Sequence, residues 1–273
     1  MMEVTFRRLQ THEDFEACVA LQKATWGQQF QECVPPAILM VAQKVGGVTA
    51  GAFDPAGRLV GFVFGLTGVK ESRLVHWSHM LAVVPELQGE GLGYRLKLFQ
   101  RELLLDVGVE VIYWTYDPLV ARNAHLNLNK LGVQVEEYVP NMYGDDTGSD
   151  LHRGIGMDRF VVAWHIADER VKRLLEGKGE EQAQGTDAPV VNTALDENGA
   201  AAPIERDLPR APAVRVEIPS DITVIQQTSL DLAAKWRAST RRAFLYYQEK
   251  GYGVDSFYRD RQSGRCFYLL KIH

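Results

Sequence analysis

Three glycines at alternate positions, Gly89, Gly91 and Gly93, join an extended apolar segment to an amphipathic helix. Glycine has no side chain to keep a bound anion away from the backbone. The N–H groups in the first turn of a helix have no partner within the helix, and the helix dipole is positive at that end. The pattern therefore predicts a binding site for a phosphorylated ligand at this turn. A glycine-rich turn that binds nothing is the alternative.

The spacing of these glycines excludes two common nucleotide-binding motifs. A dinucleotide fold needs Gly-x-Gly-x-x-Gly, and a nucleotide-triphosphate loop needs four residues between its glycines and then Gly-Lys-Ser/Thr. The chain has instead Gln-x-x-Gly-x-Gly, which begins at Gln88 and follows Val83-Val84-Pro85-Glu86. This run resembles the pyrophosphate-binding motif of the GNAT superfamily of acyl-CoA N-acyltransferases.

The resemblance covers about residues 3 to 165 and includes a second segment, Asn123 to Gly132, that is similar to another CoA-contacting part of the family. It implies an α/β (α+β) fold with a central mixed, mostly antiparallel sheet flanked by helices. It also implies acetyl-CoA or another acyl-CoA as the cosubstrate. The CoA contacts that it implies are Leu81, Ala82, Val83, Gln88, Gly89, Gly91, Leu92, Gly93, Tyr94 and Asn123.

Three further runs resemble a bacterial subfamily of predicted GNAT proteins with a long C-terminal extension: Ser78 to Leu81, Tyr138 to Gly144 and Met157 to Phe160. Relatives of that type are associated with N-acylation of amino acids, N-succinylation included, beside an N-acylamino-acid racemase. The resemblance thus implies direct transfer of an acetyl or succinyl group from CoA to the amine of a small molecule, an amino acid or a derivative of one.

The chain departs from the family at Leu128, where many members carry a tyrosine that acts as the general acid. A proton donor must then come from elsewhere. The departure also favours a rival interpretation, in which the protein binds acyl-CoA for a regulatory purpose and catalyses nothing.

The reaction itself requires a base, because an amine must lose its proton before it attacks a thioester. His79 is the first candidate, since it lies on the motif strand, which is the extended apolar segment that leads into the glycine turn, and an unperturbed histidine has a pKa near 6.5. A histidine packed against Trp77 or the neighbouring helix is the alternative reading. His76 points to the opposite face of the strand by simple alternation and is the weaker choice.

The departing thiolate must gain a proton, which a phenol can donate. Tyr143 is the first candidate for this acid and Tyr138 the second, although an Asn-x-Tyr-Gly turn also occurs as plain structure. A backbone N–H near Leu81 or Val83 is expected to stabilise the tetrahedral oxyanion.

An amino-acid acceptor would need a cation for its carboxylate, and a guanidinium binds a carboxylate in a bidentate manner. Arg159 and Arg153 are the candidates for this substrate-binding role. A surface ion pair between Asp158 and Arg159 is the alternative.

Composition agrees with an enzyme of this kind. The 273 residues are 46% hydrophobic, which is enough for one large core and a second, smaller one. The charge balance of 30 basic and 35 acidic residues, without a basic block, argues against nucleic acid as a partner. The three cysteines have no Cys-x-x-Cys spacing, so neither a disulfide framework nor a metal site is expected.

Neither a signal sequence nor an apolar run of about 20 residues is evident, so a cytoplasmic location without membrane contact is expected. A homodimer is left open.

Residue periodicity predicts the elements that position these groups. Thr11 is expected to cap a first helix, and Gly132 to end a later one. One helix face is expected to bury Leu92, Leu96, Phe99, Leu103 and Val107. The predicted strands are Val4 to Leu9, Leu39 to Val45, Leu59 to Leu66, the motif strand and Val109 to Tyr116.

The sequence divides into three parts. Residues 1–175 are the predicted acyltransferase domain, and residues 176–213 form a linker in which a hairpin turns near Asn198-Gly199. Residues 214–273 form a strand-helix-strand-strand module, which we expect to complete the substrate pocket or an oligomer interface.

Overall fold

The computed structural model describes residues 3–144, 155–178, 187–197 and 199–272. These residues fold into two compact units. Of the described residues, the first unit holds 3–114 and 163–172, and the second holds 115–144, 155–162, 173–178, 187–197 and 199–272.

A seven-stranded sheet has the strand order β1-β2-β3-β4-β5-β7-β6. The pairs β1–β2, β2–β3 and β3–β4 are antiparallel, whereas β4–β5 is parallel. The fold class is therefore the predicted one, a mixed and mostly antiparallel sheet flanked by helices. The strands are β1 Thr5–Arg8, β2 Val48–Phe53, β3 Leu59–Lys70, β4 Arg73–Val83, β5 Val111–Tyr116, β6 Gln134–Val139 and β7 Arg159–His165.

The helices that accompany these strands are α1 His12–Trp26, α2 Pro36–Lys44, α3 Leu92–Leu105, α4 Ala121–Ala124 and α5 Glu169–Leu175. Thr11 caps α1 as predicted, because its hydroxyl accepts the Asp14 N–H while the Asp14 carboxylate accepts the Thr11 N–H. A π-helix from His125 to Leu131 continues α4 and ends at Gly132, which is left-handed with φ +69°.

The predicted strand from Leu39 to Val45 is wrong, because this segment belongs to α2. Pro36 occupies the first turn of that helix, where an N–H group would have no acceptor within the helix, so proline costs no hydrogen bond there. Leu39 and Ala42, three residues apart, face the core, while Val41 and Val45 are exposed. The strand comes later in the chain, at β2, whose six residues are all buried.

The apolar face predicted for α3 is only partly correct. Leu92, Leu96 and Leu104 are buried, but the polar residues Lys97 and Gln100 are buried beside them. Phe99 and Leu103 are half-buried, and Val107 lies beyond the end of the helix and is exposed.

The second unit contains a three-stranded antiparallel sheet of order β10-β12-β11. Its elements follow the predicted strand-helix-strand-strand order, with one short extra helix: β10 Ala213–Ile218, α6 Ile222–Thr228, α7 Leu230–Glu249, β11 Tyr252–Arg259 and β12 Cys266–Ile272. A hairpin precedes it, as predicted, and consists of β8 Thr193–Leu195 and β9 Ala201–Pro203.

In the described part of the chain, no helix is long and apolar enough to cross a lipid bilayer.

Candidate functional site

Near the end of β4, the edge that faces away from β3 carries N–H groups that have no acceptor among the described residues. Val84 N–H donates to the Val60 carbonyl across the β3–β4 pair, at 3.0 Å. Since hydrogen-bonded residues alternate along an antiparallel pair, Ala82 bonds to β3, whereas Leu81 and Val83 point their N–H and C=O groups to the other edge. Gln88 Nε2 donates to the Val83 carbonyl at 3.1 Å, which agrees with this orientation.

Strand β5 covers that edge of β4 only at its beginning. The parallel ladder pairs residues 75–77 with residues 111–113, while β4 continues to Val83. The two strands therefore form a fork whose closed end is the pair Trp77–Tyr113. Beyond this pair, no strand of the described residues is paired with this edge of β4.

The glycine turn leads from the end of β4 into α3. Gly91 is the N-cap of α3 with φ +78°, and Gly89 has φ +87°. A Cβ atom at either position would meet nothing within 4 Å. The first helical hydrogen bond runs from Arg95 N–H to the Gly91 carbonyl, at 3.1 Å.

The N–H groups of Leu92, Gly93 and Tyr94 consequently have no acceptor among the described residues. A Cβ on Gly93 would lie 3.4 Å from Leu81 Cδ2, so the first turn of α3 packs closely against β4. The glycine turn thus combines an open surface, free N–H donors and a positive helix dipole.

His79 is an extra residue in the β3–β4 ladder. Phe64 pairs with Met80 but Gly65 pairs with Ser78, so His79 forms a β-bulge between them. The imidazole is half-buried and meets the edge of the Phe64 ring rather than Trp77, with ring centres 6.1 Å apart. Burial lowers the pKa of His79, although the negative charge of Glu32 acts in the opposite direction. The ring is therefore neutral at neutral pH. A general base needs this form.

A buried polar cluster lies where α3 packs on β4, and sequence reasoning missed it. Lys97 is 4% exposed, and its Nζ donates to Ser78 Oγ at 2.9 Å and to Gln100 Oε1 at 3.1 Å. The same Nζ lies 3.6 Å from the ring centre of Trp114. Burial lowers the pKa of Lys97 well below its usual range. The only signal in the sequence is the spacing of Lys97 and Gln100, which share the helix face of Leu96 and Leu104.

His76 belongs to this cluster and is fully buried. Its Nε2 lies 3.1 Å from Gln100 Nε2, and its Nδ1 lies 2.9 Å from Thr67 Oγ1. Burial lowers the pKa of His76 to about 3, so this ring stays neutral. With both ring nitrogens engaged inside the core, His76 is not placed to act as a base.

The second unit holds the tyrosine predicted as the acid. The Tyr143 hydroxyl lies 3.0 Å from Thr115 Oγ1, and the Arg159 guanidinium lies 5.8 Å from the Tyr143 ring centre. Tyr138, the second candidate, is buried and donates its phenol proton to the Asp158 carboxylate. Burial raises the pKa of Tyr138, with Asp158 adding to the effect. The Tyr138 phenol is therefore engaged within the core.

Asp158 and Arg159 do not form a surface ion pair, because both are buried. Asp158 is 0% exposed and accepts from the Arg241 guanidinium at 2.5 and 2.8 Å. Arg159 instead lies near Asp117, with 3.8 Å between Nη1 and Oδ2. Asp117 also accepts from Arg237 of α7 at 2.5 Å.

The other predicted residues lie as follows. Asn123 is half-buried on α4, and Leu128 is buried in the π-helix. Arg153 lies outside the described residues. Within the described ranges, no three His, Cys, Asp or Glu side chains are grouped so as to hold a metal ion.

No family model matches the chain, and the search of curated proteins returned no match. Several solved structures are similar in fold. A chain of the NatC complex bound to Gag peptide and CoA is 16% identical with a TM-score of 0.49, over 60% of this chain and 99% of that one.

Two further structures are similar at the same level. The ribosomal-protein-S18-alanine N-acetyltransferase from Escherichia coli is 20% identical with a TM-score of 0.45, over 61% of this chain and 96% of that one. An acetyltransferase of the GNAT family from Streptococcus pneumoniae is 16% identical with a TM-score of 0.47, over 59% of this chain and 98% of that one.

Proposed function

We propose that the protein is an acyl-CoA N-acyltransferase of the GNAT type. It would move an acetyl or succinyl group from CoA directly to the amine of a small molecule, an amino acid or a derivative of one. The observation that carries this proposal is the continuity of two sets of free N–H donors. Those of Leu92 to Tyr94 face an open turn, and those of Leu81 and Val83 line the adjoining edge of β4.

Coenzyme A has groups that can accept hydrogen bonds from both sets of N–H donors. Its pyrophosphate suits a helix N-terminus with left-handed glycines. Its pantetheine arm contains two amides, which can pair with an uncovered strand edge as another strand would. The arm is about twelve bonds long, the length of about four residues of extended chain. An arm that begins beside Val83 therefore ends with its sulfur near His79.

The reaction follows from this placement. The neutral His79 imidazole takes the proton of the acceptor ammonium, either directly or through a water molecule, and passes it to solvent. The amine then attacks the thioester carbonyl, and the N–H of Leu81 or Val83 stabilises the oxyanion. The imidazole, neutral again, takes the second proton that the nitrogen loses once the C–N bond has formed. Collapse of the tetrahedral intermediate breaks the C–S bond, and the thiolate gains a proton. Tyr143 is the acid that the sequence proposes for this last step.

The sequence suggests an acceptor with a carboxylate, which a guanidinium can bind through two parallel hydrogen bonds. Arg159 is buried, and its Nη1 lies 3.8 Å from the Asp117 carboxylate. We propose Arg159, together with Arg153, for the carboxylate of the acceptor.

Release of free CoA thiol tests the proposal. The purified chain is incubated with acetyl-CoA or succinyl-CoA and with separate pools of amino acids, simple amines and short peptides. Acceptor-dependent thiol release with the amino acids is expected. Release with peptides alone would show that the acceptor is larger than a small molecule. CoA binding without release in any pool would support the non-catalytic alternative.

A further inference from the structure

Lys97 places a buried amine in the core without an anionic partner. Its polar contacts are the hydroxyl of Ser78 and the amide oxygen of Gln100, both neutral. No carboxylate lies within ion-pair distance of Nζ among the described residues. A buried amine destabilises a fold unless a charge partner compensates for its lost hydration. An apolar side chain would fill the same space at lower free energy.

The Lys97 amine lies at a defined point of the fork between β4 and β5. Ser78 and Trp114 are the first residues beyond the last ladder pair, Trp77–Tyr113, on their respective strands. Nζ touches both, at 2.9 Å from the Ser78 hydroxyl and 3.6 Å from the Trp114 ring centre. The amine therefore lies at the closed end of the fork.

A CoA arm that occupies the open part of the fork would point its sulfur at this amine. The arm reaches from Val83 to His79, and Ser78 is the next residue toward the closed end. A thiolate that leaves the tetrahedral intermediate is thus formed beside Nζ. The family tyrosine that would protonate it is replaced by Leu128, which is buried.

We propose that Lys97, rather than Tyr143, donates the proton to the CoA sulfur as the thioester C–S bond breaks. The inference rests on the proposed function. The acceptor nitrogen forms the new C–N bond and loses its surplus proton to His79. The electron pair of the C–S bond stays on sulfur, which takes a proton from the Lys97 ammonium. Lys97 is left as a neutral amine and regains a proton from solvent after CoA departs.

The environment suits an ammonium that gives up its proton. A free thiol has a pKa near 8.5 and an ordinary lysine one near 10.4, so an ordinary ammonium is the weaker acid of the two. Burial lowers the pKa of Lys97 well below its usual range and so reduces this disadvantage. His76 is the titratable neighbour on β4 and is neutral, and Gln100, Ser78 and Trp114 carry no charge. Arg8 acts on His76 from β1.

Three variants test the proposal by steady-state kinetics across pH. Lys97→Met keeps the length of the side chain without the proton, and Lys97→Arg keeps the cation but holds its proton at any accessible pH. Both should lower kcat by about 10²–10⁴ and remove the basic limb of the pH profile. Their affinity for CoA should stay within about twofold of wild type, because the lost interaction forms only during C–S cleavage. The matched control is Lys70→Met, which removes an exposed amine 4.6 Å from the ring centre of Tyr113 and should change none of these quantities.

Two outcomes would overturn the inference while leaving the proposed function intact. One is full kcat in Lys97→Arg, which would mean that a fixed charge is sufficient. The other is a basic limb that Tyr143→Phe removes and the Lys97 variants retain. Wild-type protein that releases no thiol from any acyl-CoA would remove the proposed function and the inference with it.

Discussion

Replacing Lys97 by methionine should make the stability of the protein less dependent on pH. In the unfolded chain the amine has a pKa near 10.4, whereas burial lowers the pKa in the fold. Between these two values the unfolded state binds more protons, so wild-type stability rises with pH. The destabilising effect is largest below the folded-state pKa and is absent above the unfolded-state pKa.

The slope sets the expected magnitude. For each unit by which the pH rises between the folded-state and unfolded-state pKa, wild-type protein should gain about 1.4 kcal/mol of unfolding free energy relative to the variant. The variant loses two hydrogen bonds to neutral partners, worth about 1 kcal/mol each, but the bond from Ser78 to Gln100 remains. Those losses do not depend on pH. The variant should therefore gain stability relative to wild type as the pH falls from 10 to 7.

Urea denaturation, monitored by near-ultraviolet circular dichroism at pH 7, 8, 9 and 10, measures this difference in unfolding free energy. Lys70→Met is the control, and its stability should run parallel to wild type because that lysine is exposed. Parallel curves for wild type and Lys97→Met would show that the buried amine has an ordinary pKa, and the reasoning about Lys97 would be refuted.

His79→Ala should lower kcat by about 10²–10⁴ and remove the acidic limb of the pH-rate profile. In wild type this limb lies below pH 6.5, because burial lowers the pKa of His79. An acidic limb that is unchanged in the variant would exclude His79 as the base. Arg237→Leu should reduce the unfolding free energy by about 3–5 kcal/mol, since it leaves Asp117 buried beside a more distant cation; Lys235→Met on the same helix breaks an exposed pair and should cost less than about 1 kcal/mol by denaturation. Gly93→Ala should leave the fold intact, because the added Cβ would meet Leu81 at an ordinary contact distance. Calorimetry should show weaker CoA binding to this variant, since the proposed path of the pantetheine arm runs beside Leu81.

The glycine turn could be predicted from sequence because its information is local. Alternating glycines, a preceding apolar run and a following helical period all lie within about 20 residues, and the left-handed Gly91 agrees with them. The capping box at Thr11 is local in the same way. Both features depend on contacts between residues that are close in the sequence, so the spacing of residue types is sufficient to predict them.

The sequence does not distinguish α2 from a strand, since a short apolar run fits a buried strand or a buried helix equally well. The side that α2 buries is decided by Leu39 and Ala42, which pack in the core, and the exposed Val41 and Val45 gave the run a strand-like composition. Tertiary packing, rather than propensity, settles such a segment.

The closed end of the fork is invisible in the sequence because it depends on where two distant strands stop pairing. Trp77 and Tyr113 are separated by a helix and two turns, and nothing in either residue marks them as the last pair. The burial of Lys97 is equally hidden from the sequence, since lysine is rarely buried. The ion pairs of Asp117 with Arg237 and of Asp158 with Arg241 span 120 and 83 residues, beyond any local pattern.

Coenzyme A binding by a Gly91 variant tests the central claim most directly. Gly91 has a left-handed backbone, so valine there would strain the chain as well as fill the open space; asparagine tolerates this conformation and adds the bulk alone. Gly108→Asn is the matched control, because Gly108 has φ +80° and equally open surroundings away from the turn. Titration calorimetry should show CoA binding to wild type and Gly108→Asn and its loss in a folded Gly91→Asn protein. Wild-type affinity for CoA in Gly91→Asn would contradict the assignment of the glycine turn, and with it the proposed acyltransferase.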